Sequence, residues 1–148
     1  LRVGWGYGSK KIVDALNVIK PPFNVNGIAQ LAASEALKDK TFVIKSVRHN
    51  LLYFKKIKKF LETYNIYSNS VSANFLLLNF DKCKYSAKYL YEKLKNKGII
   101  LRSTEDGYNI KNKLRLTIGS KKENLKFISV IKKVLKKWKI FWLLVVGY

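Results

Sequence analysis

At 148 residues the chain has room for one domain, or for one small domain and a piece of another. Hydrophobic residues at 48% and aromatics at 14% are enough for a packed core, which excludes a disordered tail. The net charge of +21 suggests a polyanion partner, but it comes from 26 Lys and only four Arg, whereas phosphate and base recognition favours the arginine fork. Lysine is spread along most of the chain together with Asn, Ile and Tyr, all residues with AT-rich codons, so biased codon usage and a solvated surface account for the charge. Cys83 is alone, which excludes a disulfide framework and a cysteine metal site and fits a reducing cytoplasm. His49 is the only histidine, which excludes two-histidine metal or relay chemistry within this chain. No signal-peptide pattern follows Leu1, and the apolar run 140–148 is about half the length of a membrane span.

Residues 1–8, LRVGWGYG, alternate small and large side chains and predict a strand leading into a close backbone approach. Ser9 is placed to cap a helix over 9–20, with Ile12, Val13, Leu16 and Ile19 on one face, and Pro21-Pro22 ends it. An alanine-rich helix follows over 27–37. A longer one spans 41–64, with Val43, Val47, Leu51, Phe54, Ile57 and Leu61 along its inner stripe. Residues 67–70 read as a short edge strand, and 73–80 (ANFLLLNF) as a strand buried on both faces. A helix over 85–96 carries Ala87, Leu90, Tyr91 and Leu94 inward and stops at Gly98. Strands are predicted at 99–102 and 114–118 around a polar loop. Ser120 with Glu123 forms a capping box for a final helix to about Trp138, with Leu125, Ile128, Ile131, Leu135 and Trp138 inward. From residue 41 to 138 this amounts to a small α+β layer of helices covering a sheet.

The residues with chemical potential are Arg2, Arg102 and Arg115, each at or near a predicted strand end. A planar guanidinium there suits a carboxylate or phosphate; three surface ion-pairing arginines is the alternative that spacing leaves open. No nucleophile–base pair, paired carboxylates or phosphate-binding glycine loop is visible, and no metal-ligand set. Taken by themselves, the residues give an anion-handling α+β domain.

Four segments, in order, resemble the pyridoxal-phosphate aminotransferases of class I/II (fold type I), the histidinol-phosphate group above all: LRVGWGYG at 1–8, PPFNVNGIAQLAA at 21–33, the weaker SVSANFLLLNF at 70–80, and ILRSTEDGYNIKNKLRLTIGSKKEN at 100–124. The resemblance covers about residues 1–137. It implies the family's C-terminal small domain, helices on a small mixed sheet, over 41–138. It further implies a remnant of the large cofactor-binding domain and hinge over 1–40, and an atypical apolar tail over 139–148. It implies that Arg2 binds the phosphate of pyridoxal 5'-phosphate, that Arg115 clamps the substrate α-carboxylate, and that Arg102, 13 residues earlier, holds a distal substrate phosphate. Asn24 and Asn26 would order the hinge or touch the substrate, with helix capping as the alternative; Trp5, in place of a common tyrosine, would pack. The lysine that bonds the cofactor corresponds to a position before Leu1, so no catalytic residue is expected within 1–148, and this stretch alone should hold no covalent cofactor.

The implied reaction is amino transfer between L-histidinol phosphate and 2-oxoglutarate in histidine biosynthesis, by homodimers with small-molecule substrates. Aromatic amino-acid aminotransfer is the alternative within the class. A basic nucleic-acid-binding module would need cationic and aromatic residues on one surface, but here the aromatics fall mostly on the apolar helical stripes. A membrane-surface protein would use the lysines with the apolar tail, and deleting 139–148 would separate that reading from the others. Neither nucleic acid nor membrane is the expected partner.

Overall fold

A computed structural model describes residues 2–70 and 73–145, with side chains through Leu135. Backbone packing divides the chain into two compact units, Leu1–Ser46 and Val47–Tyr148.

The first unit holds α1 (Lys10–Ile19), α2 (Gly27–Lys38) and the start of α3 (Lys40–Glu62). Residues 2–9 form no strand. α1 ends where the sequence says it must: Lys20, ahead of Pro21, sits at φ −67°, ψ 122°, because a proline ring clashes with a helical residue before it. Asn26 caps α2, its side chain accepting from the Ala29 N–H at 2.7 Å, so capping is the role the fold gives it. None of α1 is buried: Ile12, Val13, Leu16 and Ile19 form an apolar face open to solvent. Trp5, expected to pack, is 81% exposed.

The second unit contains the core. Its sheet has the order β1-β2-β4-β3, from β1 (Tyr67–Ser68), β2 (Phe75–Asn79), β3 (Arg102–Ser103) and β4 (Lys113–Thr117). All three pairings are antiparallel, where a mixed sheet was expected. Leu76 and Leu78 of β2 and Leu114 and Leu116 of β4 point to one side. There they meet Ile57 and Leu61 of α3, Leu90 and Leu94 of α4 (Ala87–Lys95), and Phe127, Ile131 and Leu135 of α6 (Lys121–Val145). The other face, with Phe75, Leu77, Asn79, Lys113 and Arg115, is only half-buried. β2 is therefore buried on one face, not both.

Three further expectations change. In α3 only the C-terminal half of the predicted stripe is buried; Val43, Val47 and Leu51 stay exposed. β3 begins at Arg102, because the turn that ends α4 extends to Ile99 and residues 100–101 form no strand. In that turn Gly98 (φ +69°) lets its own N–H reach Lys95 O and the Ile99 N–H reach Leu94 O, the glycine-terminated helix stop. The inner face of α6 is Asn124, Phe127, Ile131 and Leu135, while Leu125 is 39% exposed. The side chains of Trp138 and of the 139–148 tail are not among those described. Among the described residues no helix is long and apolar enough to cross a membrane.

Candidate functional site

Strand alternation puts Lys113, Arg115 and Thr117 on the face of β4 away from the core. Register then places Arg102 of β3 directly opposite Arg115. Directly opposed residues of an antiparallel pair share a face, their Cβ atoms about 5 Å apart, and like charges there repel. Neither guanidinium is in an ion pair among the described residues. Each lies instead against an aromatic ring: Arg115 over Phe75 of β2 at 5.1 Å, Arg102 over Tyr108 at 5.5 Å.

Arg115 is half-buried, and its Nε is a buried donor with no hydrogen-bond partner. A buried cationic donor left unsatisfied costs about 1–3 kcal/mol or more, and an anion that accepts from it recovers that cost. Arg102 is exposed, so leaving it unpaired costs little. The cost of an unpaired guanidinium is therefore larger at Arg115 than at Arg102.

Both arginines line a cavity of about 540 Å³, walled by Gly98, Ile99, Leu101 and Phe127 and by the turn from β4 into α6. That turn is held from three sides. Asn124, 3% exposed, accepts from the Gly119 N–H at 3.0 Å and donates Nδ2–H to Gly119 O at 2.8 Å. His49 of α3 places Nε2 2.8 Å from the same carbonyl oxygen, donating to it. The capping box forms as predicted: Glu123 Oε2 accepts from the Ser120 N–H at 2.7 Å, and the Glu123 N–H reaches Ser120 Oγ at 3.4 Å. Those bonds to Ser120 hold the Glu123 carboxyl below its ordinary pKa. Its carboxylate faces the cavity already engaged with Ser120.

Arg2 and Asn24 belong to the first unit. Arg2 is exposed with φ +56°, and Asn24 is exposed in the turn before α2. Four contributors escaped sequence reading: Phe75, Asn124 and His49, and Tyr108 in the role of ring partner to Arg102. Asn124 alone carried a usable signal, a polar residue at a core-facing position of α6. Among the described residues no three His, Cys, Asp or Glu side chains converge on a metal site.

The model of the family aminotransferase class I and II matches residues 1–131. The chain belongs to this family. A histidinol-phosphate aminotransferase of Pelagibacter ubique is 64% identical over 134 residues, 90% of this chain and 37% of that protein. One from Campylobacter hominis is 36% identical over 135 residues, 91% of this chain and 36% of that protein. The crystal structure of the histidinol-phosphate aminotransferase from Clostridium acetobutylicum superposes with a TM-score of 0.73 at 26% identity, over 84% of this chain and 38% of the other. The aminotransferase chain thus spans little more than a third of the length of these relatives. Its helices on a small antiparallel sheet are the fold of a fold-type-I small domain.

Proposed function

We propose that this aminotransferase chain supplies the substrate-gripping side of a histidinol-phosphate aminotransferase acting between L-histidinol phosphate and 2-oxoglutarate in histidine biosynthesis. The observation that carries the reading is the Arg102–Arg115 pair with the unsatisfied Nε of Arg115. Two opposed guanidiniums without carboxylate partners repel one another until an anion joins them. The two halves of the reaction bring two different anions: the carboxylates of 2-oxoglutarate or glutamate, and the phosphate of histidinol phosphate. Arg115 clamps the α-carboxylate, fixing the bond to be broken relative to the cofactor. Arg102 receives the distal phosphate.

The cofactor of the reading is pyridoxal 5'-phosphate, which supplies an electron sink for the amino group's carbon. Arg2 is the residue of this chain that would hold its phosphate; an exposed guanidinium fits a dianion, and Asn24 orders the hinge nearby in sequence. The lysine that bonds the cofactor and the groups around its ring are assigned to the two thirds of the relatives' length that this chain does not span. Residues 1–40 are read as part of the large domain and hinge, 41–138 as the small domain and 139–148 as an atypical tail. The whole protein is read as a cytoplasmic homodimer.

A graft tests this. Residues 1–131 replace the matching segment of the Pelagibacter ubique relative, and amino transfer from histidinol phosphate is assayed. The graft should be active. Arg115→Ala should lower kcat/KM by about two orders of magnitude, the value of roughly 3 kcal/mol from charge-assisted hydrogen bonds. Arg102→Ala should raise KM for histidinol phosphate about ten-fold, one such bond, while sparing 2-oxoglutarate. Full activity in the Arg102→Ala/Arg115→Ala double variant sinks the reading.

A further inference from the structure

We infer that Tyr108 is the positioning residue for anion capture by Arg102, holding the guanidinium on its ring so that the fork is presented to phosphate instead of swinging into solvent. The inference rests on the reading of Arg102 as a phosphate-binding residue.

Arg102 starts from an unfavourable position. It is exposed, it has no ion-pair partner among the described residues, and Arg115 stands directly opposite on the same sheet face. Repulsion alone would drive this long side chain outward through many rotamers. The Tyr108 ring, 5.5 Å from Arg102 Cζ, opposes that by cation–π attraction. A ring engages the face of the guanidinium and leaves the in-plane N–H donors free, the donors that a phosphate accepts from.

The backbone that carries the ring is anchored. Tyr108 ends the single helical turn α5 (Glu105–Tyr108), and its N–H donates to Thr104 O at 3.2 Å. Thr104 is buried, with its hydroxyl 2.8 Å from Ile110 O and 3.1 Å from Lys113 O, which ties the loop to the first residue of β4. Asn109, in the left-handed region at φ +51°, closes the turn with its N–H on Glu105 O. The backbone that carries the ring is therefore tied to the strand that carries Arg115. Arg115 has its own ring in Phe75, so each guanidinium is held separately and the gap between them is set by protein, not by their repulsion. Tyr108 is 54% exposed, so replacing it does not open the core.

The test uses the 148-residue chain, with the Arg102 Nε–Hε resonance followed during titration with inorganic phosphate. In the wild type that resonance should carry an upfield ring-current shift and move on phosphate addition. Tyr108→Leu should lose the ring-current shift and bind phosphate about five-fold more weakly; Tyr108→Phe, which keeps the ring, should retain both. A stability role alone would move neither the unliganded resonance nor the difference between Phe and Leu. If phosphate moves the wild-type resonance and Tyr108→Leu binds as tightly, the inference falls and the reading of Arg102 stands. The inference also falls if Tyr108→Phe behaves like Tyr108→Leu. If the wild-type resonance ignores phosphate, the reading of Arg102 fails and takes this inference with it.

Discussion

At the scale of single residues, the site depends on buried polar groups whose partners are all accounted for and on one whose partner is not. Asn124 gives both amide atoms to Gly119, and His49 gives Nε2 to the same carbonyl. Together they fix the turn where β4 passes into α6. Asn124→Ala strips the Gly119 N–H of its partner, so it should cost about 1–3 kcal/mol, read as a lower urea midpoint at unchanged m-value. Loss of less than about 0.5 kcal/mol would mean that the turn is held by the capping box alone. Arg102 and Arg115 were legible as candidates because a planar guanidinium near a strand end suits a carboxylate or phosphate, and the family resemblance singled them out from surface ion-pairing arginines. Their rings were not. Phe75 lies on a different strand, and Tyr108 falls in the stretch that reads as a polar loop, where α5 and Thr104 place it.

At the scale of elements, the short-range signals held best. The stop at Pro21, the cap at Asn26, the Gly98 terminus of α4 and the capping box at α6 each depend on residues within five positions of one another. The capping box also sets a pH dependence. The Glu123 carboxyl is held below its usual 4.5 by the bonds to Ser120. A carboxyl with a depressed folded-state pKa adds stability that is complete above the unfolded value and is lost as pH falls through the folded one. The urea midpoints of wild type and Glu123→Ala should therefore differ at neutral pH and converge as pH drops below about 4.5. A constant gap through that window would rule out the carboxylate as the cap. Gly119 belongs to the same device: a Cβ there would stand 2.7 Å from Glu123 Oε2, so Gly119→Ala should push Glu123 off Ser120 and flatten the same pH dependence.

For the molecule as a whole, the two units differ in what stabilises them. Residues 47–148 contain the continuous core through Ile57, Leu78, Leu90, Leu116 and Ile131. A polypeptide of those residues should keep a cooperative urea transition, and Ile131→Ala within it should cost about 2–5 kcal/mol, as a buried methyl cluster is lost from a packed site. A broad, non-cooperative melt of the 47–148 polypeptide would contradict this. In the first unit α1 turns Ile12, Leu16 and Ile19 to solvent, a face whose amphipathic pattern is that of a helix made to be covered.

The sequence by itself determined the stop of α1 at Pro21, the Gly98 end of α4, the capped start of α6, the α+β class, the family resemblance and the arginines worth following. Helix periodicity, caps and proline stops act between near neighbours in the chain, so they can be read in order. Only the tertiary structure decided that Arg102 faces Arg115, that each arginine lies on a ring, that β2 buries one face, and that α6 turns Asn124 inward and Leu125 out. Those outcomes depend on strand register and on how helices seat against a sheet, which are set by side chains distant in sequence that meet only when the core closes.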